Sequence, residues 1–528
     1  MKTVKHYLSF ALLLIFATAF MPKQINAATN ELVIPDDAYV VVNLDLNAIW
    51  NKADLRNSMN LQVVNEIRKE LQREMPMVDE LVVSTLRDPF STGLNINENI
   101  VLFAAPSAGQ TYFVLSAALT NSADMERYLS KISKAAGSDG TLPIYRDNNF
   151  TFLNLEDFIA AYTDKRILFV IPESRYQTME DMRNYAISIF NLPSNRNMTY
   201  DLNFKEYWRN RGDFGAYVAY KSIASVTNML LGLYAGDVIS DKMMANMMQT
   251  SYYLSATFEK GYIQCAIKTI GTSKELKKVF EHSFNKSILK YLPEQTLGAA
   301  TVSISIDKFM SYYNTMNPNN NIYNMSSGIG SYTFAEILNA FGGSLAFSSY
   351  AFDANDEVLY AVVVDINNMP TFKAILEASG YTKNGDFYVL DSYSPRIYLG
   401  NNVAVMSNDI KTLNKAMTGG YTNNVKAAYN KLAAGNYFYL GLDLSKFPAS
   451  ALEDLYMEDY YNYYTEEYVT EIDPERKRYV DAVRNMLDYI EVEMFVNDGF
   501  VGRLHLTNKN INSLLYIIRE FDKLVKFD

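Results

Sequence analysis

The chain has 528 residues, with 48 Lys and Arg against 59 Asp and Glu and a formal net charge of −11. An acidic chain without a basic run lacks the clustered cations that nucleic-acid phosphates require. Three histidines and one cysteine exclude an internal disulfide and a usual zinc centre, and weigh against Ser-His-Asp or Cys-His machinery.

Residues 1–27 read as a signal peptide. Lys2 and Lys5 precede the apolar run Leu8–Phe20, which is short for a membrane span, and Ala27-Ala28 offers small residues at a cleavage point. No cysteine follows that run to accept a lipid, so a lipid anchor through an N-terminal cysteine is not expected. No transmembrane span is expected after cleavage. An exported chain of this kind, without disulfides, belongs to the periplasm or surface of a Gram-negative bacterium. Cys265 lies in the alternating segment Tyr262–Ile267 and is read as a buried structural thiol.

Four phrases recur along the rest: Tyr39–Asn47, Gly215–Ser222, Ala300–Asp307 and Tyr437–Ser445. Each is a strand ending on a helix N-cap type, which points to Asn47, Ser222, Asp307 and Ser445 as caps. Behind the first, Ala48–Glu80 is predicted helical, then strands Asn99–Ala105 and Thr111–Leu119 turn at Pro106–Gly109, and Asn121-Ser122 caps a helix. Tyr145–Phe152 and Arg166–Ile171 add linking strands before a helix near residues 176–190. Behind the second phrase, a Met-rich stretch (Met229, Met243, Met244, Met247, Met248) precedes a hairpin at 252–270 turning at Glu259–Gly261. Behind the third, the Asn-rich loop 314–324 leads to a hairpin at 344–366, and Asn367–Pro370 opens a helix. Tyr381–Tyr388 and Asn402–Met406 repeat the linking strands. The fourth ends in a hairpin at 489–507 turning at Asn497-Asp-Gly499, a strong hairpin signal, and a helix at 511–527.

The order strand–helix, hairpin–helix, linking sheet thus occurs twice, over 28–290 and 291–528. The expected fold is α+β: two duplicated modules, each of mainly antiparallel sheet with helices on one face, because hairpins dominate.

The opening Ile34-Pro-Asp-Asp-Ala-Tyr-Val-Val-Val-Asn-Leu-Asp-Leu-Asn-Ala-Ile-Trp50, directly after the signal, resembles the start of a large Bacteroidota envelope family defined only as a domain of unknown function. The resemblance extends over most of the mature chain and implies the repeated strand-then-cap architecture. It implies no catalytic residues.

One segment stands apart. Residues 452–475 carry nine acids and six tyrosines without one Lys or Arg. Helical spacing would place rings on one face and acids on another, so an inserted surface helix with its tyrosines packed inward is expected. The same residues make a candidate recognition surface, with Tyr456, Tyr460, Tyr461, Tyr464, Glu458 and Asp459 as contacts, because tyrosines supply rigid amphipathic area. The acids lack the spacing of a calcium loop; no metal site and no cofactor is expected. His282 is read as exposed on a helix and His505 as one face of a strand.

Three functions compete. The first is a non-enzymatic binding or interaction module of the envelope, its partner a protein or a glycan. The second is a structural or assembly role. The third is a carboxylate-dependent glycoside hydrolase or lyase, which requires two acids about 5–10 Å apart in a cleft.

Overall fold

The protein is described from a computed structural model. It describes residues 32–135, 143–147, 149–155, 157–174, 177–219, 248–271, 274–293, 296–318, 320–354, 357–421, 437–447, 455, 457–462, 467–495 and 499–524. The segment expected to be a signal peptide, Ser222 and most of the Met-rich stretch lie outside them. The described residues form two compact units. The first takes those within 1–225, 251–265 and 508–528, and the second those within 226–250 and 266–507.

The first unit begins with β1 (Val40–Leu44), α1 (Leu46–Ala53), α2 (Gln62–Glu74) and α3 (Pro76–Arg87), followed by the hairpin β2 (Ile100–Ser107) and β3 (Gln110–Ala118). The hairpin turns at Ala108-Gly109, where both φ angles are positive, as a tight two-residue turn demands. Then come α4 (Ser122–Ala135), β4 (Ile144–Asp147), β5 (Phe150–Leu155), β6 (Phe158–Tyr162), β7 (Arg166–Pro172), α5 (Met179–Phe190), α6 (Leu202–Arg209), β8 (Phe214–Ala219) and β9 (Ser251–Glu259); the next strand, β10 (Tyr262–Ile270), is divided between the units after Cys265. The strand order is β4-β5-β6-β7-β3-β2-β1-β8-β9, antiparallel throughout. β10 hydrogen-bonds to β9.

The second unit holds α7 (Lys274–Phe280), β11 (Gly298–Ser303), α8 (Ile306–Met316), α9 (Phe334–Ala340), β12 (Phe341–Phe352), β13 (Val358–Ile366), α10 (Met369–Ala378), β14 (Thr382–Asn384), β15 (Phe387–Val389), β16 (Arg396–Gly400), β17 (Val403–Ser407) and α11 (Ile410–Met417). It continues through β18 (Phe438–Asp443), β19 (Met457–Asn462), β20 (Glu467–Ile472), α12 (Pro474–Met486), β21 (Leu487–Phe495) and β22 (Gly499–Leu506). Its order is β14-β15-β16-β17-β13-β12-β11-β18-β21-β22, again antiparallel. With β1 set against β11, the two orders run alike; β19 and β20 form a separate two-stranded sheet.

The compact units are not divided between residues 290 and 291, where the two modules are expected to part. The last helix, α13 (Ser513–Asp522), packs against α1 and β9 in the first unit. The Asp522 carboxylate accepts from the free N–H groups of Gln62 and Val63 at the start of α2.

The α+β class with mainly antiparallel sheet is observed, but helices cover both faces of each sheet. In the first unit α1, α3 and α4 enclose Ile100, Ala117, Ile167 and Phe169. On the opposite face Tyr185 of α5 stacks on Tyr112, and Phe204 and Tyr207 of α6 meet Tyr217. In the second, α11 packs with Ala346, Val363 and Val405, and α9 and α10 pack with Ile366, Ile397 and Ala404. Runs such as Ile167-Leu-Phe-Val170 are apolar and buried at consecutive positions, which is the mark of a strand buried on both faces.

The caps also sit two residues earlier than expected. Asp45, Ser305 and Asp443 are the N-caps of α1, α8 and the 3-10 turn Leu444–Lys446. Asn47 and Asp307 are already inside helices, and Ser445 lies inside that turn and donates to Asp443. The helical region predicted from Ala48 is made of α1, a 3-10 turn, α2 and α3; Asp54, in the left-handed conformation, ends the first.

Two helix starts carry capping boxes, Thr178 with Asp181 and Thr333 with Glu336. Hydrogen bonds from Thr178, side chain before backbone, hold the Asp181 carboxyl below its ordinary value. Those from Thr333, backbone before side chain, do the same for Glu336. Depressed folded-state values mean that this stabilisation is present above the unfolded carboxyl pKa and lost as pH falls through the folded one. Asp181→Asn combined with Glu336→Gln is expected to flatten the acid limb of stability against pH, read by urea unfolding below about pH 5.

Candidate functional site

An open cavity of about 260 Å3 lies in the first unit, lined in part by Asp36, Ser194, Asn195, Tyr200, Asp201 and Tyr217. Its wall is a loop held by main-chain bonds. Asp36 N–H donates to the Arg196 carbonyl (2.9 Å) and Met198 N–H to the Ile34 carbonyl (2.8 Å). Asn197 is buried between them: its Oδ1 accepts from Ile34 N–H and Thr199 N–H, and its Nδ2 donates to the Leu32 carbonyl. An asparagine side chain replaces the ladder that two such short segments cannot form alone.

Asp201 opens α6, with Oδ1 accepting from Asn203 N–H at 2.8 Å and Phe204 N–H at 3.1 Å. α6 in turn seats Phe204 and Tyr207 against Tyr217, while Tyr207 also meets Tyr253. The Tyr217 hydroxyl donates to Ser251 Oγ at 2.9 Å. Burial, together with the negative charge of Asp201, pushes the Tyr217 hydroxyl up to about 12 against the lowering effect of Ser251, so it stays a neutral donor at physiological pH. At the mouth Arg196 bridges Asp36 (2.9 Å) and Asp37 (3.5 Å). Tyr200 is 54% exposed with the Lys205 ammonium 5.5 Å from its ring centre.

Behind α6 lies a buried polar node. Asn43, 0% exposed in the centre of β1, accepts from the Tyr207 hydroxyl. Arg211 stacks on Trp208 and donates to the Trp208 carbonyl and to Asn99 Oδ1. Among the described residues, Asn43 Nδ2, Asn99 Nδ2 and Arg211 Nε find no acceptor.

In the second unit a charged cluster lies across neighbouring strands. Arg503 donates to Glu491 at 3.1 Å and Glu493 at 2.7 Å, and His505 Nε2 lies 3.2 Å from Glu491. The Tyr439 and Tyr489 hydroxyls meet at 2.6 Å. Two acids do converge here. Both accept from one guanidinium, and Glu491 is 3% exposed, so the arrangement binds strands together.

The tyrosine-rich segment is not helical where it is described. Glu458, Asp459, Tyr460 and Tyr461 lie in β19, and Tyr456 and Tyr464 fall outside the described residues. The register sets Tyr461 opposite Tyr468 and Asp459 opposite Thr470. Tyrosine, valine and threonine favour strands, and the acidic alternation fits period 2 as readily as the assumed helical spacing. Cys265 is exposed; its neighbour Ala266 takes the buried face of β10, one register step from the expectation. His282 follows the end of α7 and is half-buried beside Gly343. The cavity residues were missed because Asn197 and Asp201 look like ordinary loop polar residues; the signal was the Asx spacing before a helix start. Among the described residues, no three His, Cys, Asp or Glu side chains are placed to hold a metal ion. Among them, no helix is long and apolar enough to cross a membrane.

Asp201→Ala is expected to cost about 1 kcal/mol through loss of the cap, whereas Asp201→Asn should be close to neutral; urea denaturation of the two variants measures the difference.

The chain belongs to the family described as Domain of unknown function (DUF4836), whose model matches residues 30–514. A search of curated proteins finds no match. Among solved structures, the chain is similar to crystal form I of TP0453, with 11% identity and a TM-score of 0.19, covering 74% of this chain and 98% of that one. It is similar also to crystal form III of TP0453, with 10% identity and a TM-score of 0.17, covering 73% and 98%.

Proposed function

We propose that this member of the family is an exported envelope protein, a non-enzymatic module that binds a partner in the periplasm or at the cell surface. The observation that carries the reading is the cavity beside α6. Its framework residues Asn197 and Asp201 are locked by backbone bonds, so the site is preformed, which lowers the ordering cost of binding. Its lining mixes tyrosine rings with hydrogen-bonding groups, as ligand sites do. Export rests on Lys2, Lys5, the Leu8–Phe20 run and Ala27-Ala28. The like strand orders of the two units support a duplicated origin for the modules 28–290 and 291–528.

The ribbon β19–β20 and its flanks supply the second contact of this reading, with Tyr456, Tyr460, Tyr461, Tyr464, Glu458 and Asp459 offered to a protein partner. A chain lacking residues 452–475 is expected to lose capture of its envelope partner in a crosslinking pull-down while retaining the thermal transition of the full chain. Retained capture sinks the assigned surface.

A structural role has one observation in its favour. Leu102, Phe113 and Ile171 are 39, 41 and 42% exposed on neighbouring strands of the first unit, with Phe113 directly opposite Ile171. An uncovered apolar strip of this kind fits assembly. If the chain assembles through it, Phe113→Glu should convert an oligomer to a monomer in light scattering; an unchanged mass removes this reading.

A further inference from the structure

We propose that the cavity beside α6 is a saccharide site, taking one sugar ring of a glycan. The proposal rests on the binding reading above and adds the ligand's chemistry. The lining offers both kinds of hydrogen-bonding group: Ser194, Asn195 and Tyr200 carry donors as well as acceptors, while the carboxylates and Tyr217 are left to accept. Asn197 is used up by three backbone groups. Tyr217 spends its proton on Ser251 and keeps a lone pair. Asp201 Oδ1 is filled by two N–H groups and Asp36 Oδ1 by Arg196. Among the described residues the second oxygen of each carboxylate has no hydrogen-bond partner. Ionised carboxylates only accept, while Ser194, Asn195 and Tyr200 can also donate, so the ligand must both donate and accept.

The charge of these acids is partly offset, with Arg196 shared between Asp36 and Asp37. Arg196 lies against Asp36, and the start of α6, with its free N–H groups, lies against Asp201. A compensated carboxylate draws a full cation weakly, yet its lone pairs still bind hydroxyls. The site therefore suits hydroxyl groups, which donate and accept, over an ammonium, which only donates. Tyr200 adds an exposed aromatic ring at the mouth, suited to the apolar face of a pyranose. The cavity is small, at about 260 Å3, so a single sugar unit rather than a long chain is proposed as its occupant.

The test is titration calorimetry of the full mature chain with glucose, galactose, mannose and N-acetylglucosamine, and with putrescine as the cationic probe. One of the sugars is expected to bind. Tyr200→Ala and Asp201→Asn are each expected to weaken it about tenfold. Asn keeps the α6 cap, and Tyr200 is exposed, so an unchanged melting temperature separates lost binding from lost fold. Binding of putrescine in preference to every sugar overturns the proposal, as does failure of all four sugars. Sugar binding that both variants leave intact overturns the cavity assignment while leaving the binding function standing. Loss of partner capture on removing 452–475, with no sugar bound, leaves the protein-binding reading and removes this one.

Discussion

β1 is the strand on which the first unit is built. It is hydrogen-bonded along both edges, to β2 and to β8, and Val41 and Asn43 are fully buried. A strand so enclosed has no water to satisfy a misplaced amide, so its register is set once and its neighbours follow. Asn43 extends this constraint out of the sheet plane. Its side-chain oxygen takes the Tyr207 hydroxyl, which fixes α6 against the sheet. α6 starts at Asp201, so the same bond that anchors the helix also places the cavity wall. Gly215 is required at this point: a Cβ there would stand 2.5 Å from Asn43 Oδ1 and 2.6 Å from the Arg211 carbonyl. β11 holds the equivalent place in the second order, between β12 and β18.

Much of this was legible in the residues, and what failed did so for identifiable reasons. The hairpins at Ala108-Gly109, Lys260-Gly261 and Gly499 follow from turn chemistry, since each needs a positive φ that glycine supplies cheaply. The caps were misplaced because Asp45 and Asn47 are both cap types. The choice between them depends on where β1 leaves its ladder, and that is decided by pairing with β2 and β8. The β19–β20 ribbon was misread because tyrosines at spacings of three and four fit a helix stripe, while the adjacent-residue pattern of Tyr460, Tyr461, Val469 and Thr470 equally fits strands. Short segments with two admissible periods are settled by tertiary pairing.

Covering both faces of each sheet follows from the same physics. Continuous apolar runs in β2, β7 and β17 cannot tolerate water on either side, so the helix after β3 and the helix after β7 take opposite faces, as do α10 and α11. The cover is incomplete where Leu102, Phe113 and Ile171 stand exposed. The cavity, by contrast, owes nothing to hydrophobic pattern. It exists because Asn197 and Asp201 bend short loops by bonding the backbone, a long-range arrangement over more than 160 residues between Ile34 and Asn197 that no local window reveals.

The charged cluster around Arg503 shows why converging acids alone do not define chemistry. A general acid must donate a proton to a leaving group. Glu491 and Glu493 instead accept from the same guanidinium, and Glu491 also faces His505. Burying such charges is costly unless each is bonded, and here one guanidinium serves both acids. At the cavity Asp36 and Asp201 accept through one oxygen each and line an open space. Carboxylates of the first kind hold strands in register; those of the second kind can meet a ligand.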